Sequence, residues 1–145
     1  MTLEIIVRYL HFIGVLGLAS TLVLQFMSLK ALLAPEELRR LADIDRFYGM
    51  FAVLTLGAGL GLWFGVGKAA EFYTSNWVFH LKLSLFVIAA GLSIAPTVFF
   101  IKHRFSAVDV ALPKYIKIFK HVELTLILLM PLCAVIMAKG IGYFN

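Results

Sequence analysis

Long apolar runs with almost no charge recur four times along this chain, and that recurrence limits its fold more than any other feature. The first extends from Tyr9 to Leu29, between Arg8 and Lys30, and the second from Phe47 to Gly67, between Arg46 and Lys68. The third extends from Ser75 to Ile101 with Lys82 inside it, and the fourth from Phe119 to Ala138 with His121 and Glu123 inside it. A helix needs about 20 apolar residues to cross the hydrocarbon of a bilayer, and each run is long enough. Lipid cannot satisfy free N–H and C=O groups, and the runs lack strand-like alternation, so each is expected to be a helix. The predicted fold is all-α: one integral membrane bundle over residues 1–145, with four transmembrane helices at about 5–29, 46–67, 75–101 and 118–138.

Composition agrees with this reading. The chain is 62% hydrophobic and only 14% charged, with a mean hydropathy of +0.98, whereas about a quarter of the residues of a soluble domain are charged. The first run is longer than the apolar core of a secretory signal and no cleavage site stands out, so it is read as a retained span. A net charge of +5 would suit nucleic acid, but the cations flank apolar runs, which is a membrane-topology pattern and argues against a nucleic-acid partner. Cys133 is the sole cysteine, which excludes an intramolecular disulfide and disfavours a thiolate metal site.

The first connection holds Ala34-Pro35-Glu36-Glu37, and a proline followed by two acids predicts a short interfacial helix through Ile44. The second connection, Lys68 to Asn76, is short, and the third, Lys102 to Lys117, is polar and broken by Pro113. The first and third connections and their flanks carry Lys30, Arg39, Arg40, Arg46, Lys102, Arg104, Lys114, Lys117 and Lys120, against Arg8, Lys68 and Lys139 on the other side. That asymmetry predicts a cytoplasmic position for those two connections and periplasmic termini in a bacterial inner membrane.

Ionisable residues inside a membrane are costly and mark candidate sites. His11 and His80 fall on the first and third runs, which enter from the same side. Each lies three residues inward of an interfacial anchor, Arg8 and Trp77 respectively, which puts both imidazoles about 4 to 5 Å deep. Two imidazoles at one depth on separate helices suit axial ligation of a haem iron. Arg8, one turn nearer water on the His11 face, would then meet a propionate. His121 belongs to the opposite half and is the candidate ligand of a second haem. Lys82 points about 200° away from His80 around the helix and is expected to pair elsewhere. Glu123 is expected to balance a cation such as Arg46. His103, between Lys102 and Arg104, reads as a solvated residue at a helix exit. Gly57, Gly59, Gly61, Gly65 and Gly67 predict close packing along one face of the second helix.

Four short segments carry a family resemblance: Arg8-Tyr9-Leu10-His11, Asp45-Arg46-Phe47-Tyr48-Gly49, Phe79-His80-Leu81-Lys82-Leu83, and Lys120 to Glu123. Together they resemble the HemJ-type protoporphyrinogen oxidases and the related small, mostly uncharacterised bacterial membrane proteins. The resemblance implies haem b binding, with the family's two histidines falling on His11 and His80. Where the HemJ-type pattern favours Asn-Glu-x-Pro in the last helix, this chain reads His121-Val122-Glu123-Leu124-Thr125, so the nearer likeness is to the uncharacterised relatives.

The expected function is a membrane cytochrome b-like protein holding one or two haems and exchanging electrons with a quinone, a porphyrinogen or an oxygen species, with a homo-oligomer plausible from four spans. Two other classes fit the same residues. One is an ion or metal permease without haem, lined by His80, Lys82 and Glu123. The other is an accessory subunit whose polar residues only set helix register.

Overall fold

The computed structural model describes residues 1–143. Four long helices dominate it: α1 (Thr2–Ser28), α2 (Pro35–Gly61), α4 (Trp77–His103) and α5 (Lys114–Ala138), with a five-residue α3 (Ala70–Thr74) before α4. All four are long and apolar enough to cross a membrane. At about 1.5 Å per residue, the 27 residues of α1 span about 40 Å.

The predicted interfacial helix is present, but it is not separate. Pro35 starts α2 and the helix continues without a break past Asp45. Glu37 reaches back to the Ala34 N–H at 3.3 Å and pairs with Lys30 at 2.8 Å, so the start of α2 is capped well outside the apolar run. At its other end α2 relaxes into a π-helical turn, Leu62–Val66. Gly67 ends that turn pressed against the Leu62 carbonyl, where a Cβ would overlap backbone.

Around the bundle, α1 packs closely on α2 and α4 on α5, while α1 meets α5 and α2 meets α4 more sparsely. The helices thus form a ring in which α1 faces α4 and α2 faces α5 across the axis. At one end, β1 (Leu32–Leu33) and β2 (Val110–Ala111) pair antiparallel and clasp the two connections together. Leu33, Leu38, Leu41, Phe100 and Ile116 are fully buried beneath this clasp. At the opposite end, where both termini lie, Asn76 is buried. Its side-chain oxygen accepts from the Val78 N–H at 2.9 Å, its amide donates to the Ile141 carbonyl at 3.1 Å, and the Trp77 N–H donates to the Gly142 carbonyl at 2.8 Å. The last described residues are thereby fastened onto the start of α4.

Mid-bundle, Leu18, Leu22, Ala89, Ile127 and Met130 form an apolar plug. Large apolar side chains such as Leu16, Val53, Val87, Ile94 and Leu128 point outward from every long helix. That surface suits hydrocarbon as its solvent and would drive aggregation in water.

The close helix approach predicted for the glycines of the second helix is made mainly by α1. A Cβ on Gly14 would sit 2.9 Å from the Thr55 nitrogen, and one on Gly17 would enter the Phe51 ring, whereas Gly57 and Gly65 face open space. Hydrophobicity adds little to helix association in lipid, so such van der Waals contacts and interhelical polar contacts carry most of it.

Candidate functional site

Five polar side chains converge inside the bundle toward the clasp end: Gln25, Asp45, Tyr48, Lys120 and Glu123. Helical spacing explains the convergence. Asp45 and Tyr48 lie three apart on α2, and Lys120 and Glu123 three apart on α5, so each pair occupies one helix face. Because α2 and α5 stand across the axis from each other, the two faces meet in the interior, and Gln25 joins them from the last turn of α1. Gln25, Lys120 and Glu123 are 0% exposed, Tyr48 5% and Asp45 6%.

The Gln25 amide donates to Asp45 Oδ1 at 2.8 Å, and the Tyr48 hydroxyl donates to Glu123 Oε1 at 3.1 Å. Lys120 Nζ stands between the two carboxylates, 3.4 Å from Glu123 Oε2 and 3.8 Å from Asp45 Oδ1, and 4.7 Å above the Tyr48 ring. Neither ion pair is an aligned hydrogen bond: Lys120 Nζ, Glu123 Oε2 and Gln25 Oε1 are all buried without a hydrogen-bond partner. Unsatisfied polar atoms in a low-dielectric interior are costly. Two carboxylates against one ammonium also leave one negative charge unbalanced when both acids are ionised.

Asp45 and Tyr48 line a cavity of about 350 Å³ between α2 and α4. Arg46 and Arg104 line it where it nears the clasp, and its walls include Phe86, Ala89 and Ile127. Arg104 and Arg46 both bond Asp43 Oδ1, at 2.9 Å and 3.3 Å. Ala89 and Ile127 belong both to the cavity wall and to the mid-bundle apolar plug.

The histidines chosen from sequence lie elsewhere. His11 holds the Thr55 carbonyl of α2 through Nδ1 at 3.0 Å, with Gly59 beneath its ring. His80 holds the Thr74 carbonyl at the end of α3 through Nε2 at 2.8 Å. Each ring is thus tied to a different element, and among the described residues no ring contact joins the two. Helical spacing separates His80 from Lys82 as expected. Arg8 is occupied by Glu4 at 2.7 Å. His121 is exposed on the outer surface, with Phe26 5.8 Å from its ring. Glu123 pairs with Lys120 and Tyr48, not with Arg46. His103 bonds the Phe99 carbonyl of its own helix at 2.9 Å, consistent with a residue at a helix exit. Among the described residues no group of three or more His, Cys, Asp or Glu is arranged to hold a metal ion.

Sequence reasoning missed Gln25, Asp45, Tyr48 and Lys120 as site residues. The available signal was two i, i+3 polar pairs, Asp45/Tyr48 and Lys120/Glu123, at corresponding depths of two spans that enter from the same end.

A family model described as a predicted membrane protein (DUF2214) covers residues 3–142. No curated protein and no solved structure matches the chain.

Proposed function

Starting from the premise that the chain belongs to the DUF2214 family of predicted membrane proteins, we propose that it is a proton-coupled carrier whose proton site is the Lys120–Asp45–Glu123 cluster. One observation carries this reading: a buried set of three ionisable groups, two acids against one ammonium, with Asp45 and its neighbour Tyr48 lining a cavity between α2 and α4. Burying a net charge is far costlier than burying a neutral set. The cluster therefore holds one exchangeable proton in its resting state and gains a charge when that proton leaves. Tyr48, hydrogen-bonded to Glu123 and lining the cavity, is placed to pass the proton between cavity and cluster. A plug of Leu18, Leu22, Ile127 and Met130 fills the middle of the bundle, which suits a carrier and does not suit an open pore.

The test is potential-driven proton uptake into proteoliposomes, set by a potassium gradient with valinomycin and read by an internal pH dye. The wild-type protein should take up protons faster than protein-free liposomes, and Glu123→Gln, confirmed as folded by its helical circular dichroism, should fall to the protein-free rate. Uptake equal to that of empty liposomes, or unchanged by Glu123→Gln, contradicts the proposal.

A second reading, haem b held at the termini end, has one observation in its favour. His11 donates through Nδ1 to a backbone carbonyl, which leaves Nε2 free in the tautomer that metal-ligating histidines adopt, and Gly59 leaves space against the ring. His80 does not supply the opposite ligand in this arrangement, because its Nε2 is committed to Thr74. Membranes enriched in the protein would then show a Soret band that His11→Ala removes and His80→Ala leaves unchanged. Colourless membranes would eliminate the haem reading and leave the carrier untouched.

A further inference from the structure

The cavity between α2 and α4 has a polarity gradient that specifies an occupant. Where the cavity nears the clasp, the guanidinium groups of Arg46 and Arg104 line it and share the single carboxylate of Asp43, so this rim carries an excess positive charge. Arg104 Nε is buried there without a hydrogen-bond partner, a donor directed at nothing in the chain. Deeper, Phe86, Ala89 and Ile127 make an apolar wall. The volume, about 350 Å³, is at the low end of the range of about 300–1,000 Å³ typical of small-ligand sites, which leaves room for one hydrocarbon chain and not for two.

We infer that this cavity binds a single-chain amphiphile with an anionic head, the head paired with Arg46 and Arg104 and the chain lying along α4 toward the apolar plug. Arginine suits such a head because its planar fork bonds a carboxylate or phosphate bidentately. Asp45 disfavours a second negative charge deeper in the cavity, which fixes the ligand's polarity: head at the rim, chain inside. The inference deepens the carrier reading by naming the substrate class that would move with the proton. Binding itself needs only the cavity and its rim.

The test is photolabelling in nanodiscs of phosphatidylcholine with dodecanoate carrying a diazirine in its chain, compared with the matching alcohol. Label from the acid should map to α2 between 42 and 52 and to α4 between 86 and 104, and unlabelled dodecanoate should compete it away while dodecanol does not. Losing charge-assisted hydrogen bonds at the rim should weaken binding about ten- to a hundredfold in the double variant Arg46→Gln/Arg104→Gln. Ala90→Phe, which fills the cavity from its other wall, should abolish the label without touching the rim, and guards against a variant that merely misfolds. Equal labelling by the alcohol, label spread over all outward-facing helix surfaces, competition by phosphatidylglycerol in place of the single-chain acid, or no effect of either variant would each overturn the inference. Proton uptake is a separate readout, so loss of labelling with Glu123-dependent uptake intact would fault the ligand and not the proton site.

Discussion

Lys120→Met should destabilise the bundle by about 3–5 kcal/mol, the range observed when one partner of a buried ion pair is removed and the other charge is left behind. With one carboxyl of the cluster protonated, the carboxylate that stays ionised loses its only cation. Glu123 would retain only the Tyr48 hydroxyl, and Asp45 only the Gln25 amide. Methionine nearly matches lysine in length, so little of the loss would come from a cavity. The measurement is denaturant unfolding of the protein in mixed micelles followed by circular dichroism. The companion variant Lys120→Met/Asp45→Asn/Glu123→Gln removes every formal charge in the cluster and should recover most of the stability, because neutral polar groups are far cheaper to bury than unpaired ions. A single variant within about 1 kcal/mol of wild type would mean that the three groups do not form the electrostatic unit described.

Gly14→Val should be comparably damaging for a different reason. A Cβ at Gly14 would meet Thr55 Oγ1 at 2.5 Å and the Thr55 nitrogen and Cα at 2.9 and 3.0 Å. Two of those three atoms are backbone, which cannot step aside like the tip of a flexible side chain. Ordinary overpacking costs about 1–3 kcal/mol, and forcing α1 and α2 apart adds the loss of the His11–Thr55 hydrogen bond and of the Gly17–Phe51 contact. A total of at least about 3 kcal/mol is expected in the same unfolding assay. Gly57→Ala is the control: nothing lies within 4 Å of the added methyl, and alanine is a better helix former by up to about 1 kcal/mol, so stability should hold or rise slightly. Equal losses in the two variants would mean that α1 and α2 do not approach along this face.

Why some of this was legible in the sequence and some was not follows from particular residues. The four spans could be read from charge-free runs because lipid leaves the backbone no alternative to helix. Lys120 was read as a topology charge because it ends a basic segment, and nothing local distinguishes a lysine in the headgroups from one turned inward. Its burial follows from α5 beginning at Lys114, a full turn before the apolar run, which puts Lys120 already inside the bundle. Asp45 was obscured likewise by Arg46 beside it, since the expected helix start at about residue 46 placed it in a connection. The histidines illustrate the converse limit. Spacing put His11 and the His80–Lys82 element at one level on helices that do face each other across the axis, but rotation about a helix axis is not encoded by depth. The structure ties His11 to Thr55 and His80 to Thr74. Gly57 and its neighbours made a small-residue pattern on α2, yet α1 supplied the close approach through Gly14 and Gly17, because packing selects whichever face meets a partner.

The central claim is that the buried cluster holds a proton, and isotope-edited infrared spectroscopy of the protein in nanodiscs tests it most directly by observing the carboxyl groups themselves. At neutral pH the wild type should show the carbonyl stretch of one protonated carboxyl that shifts with carboxyl labelling of Asp and Glu. Either Glu123→Gln or Asp45→Asn should remove it, since each leaves one carboxylate to one ammonium. A wild-type spectrum with every carboxyl ionised, or a band that survives in both variants, would contradict the account.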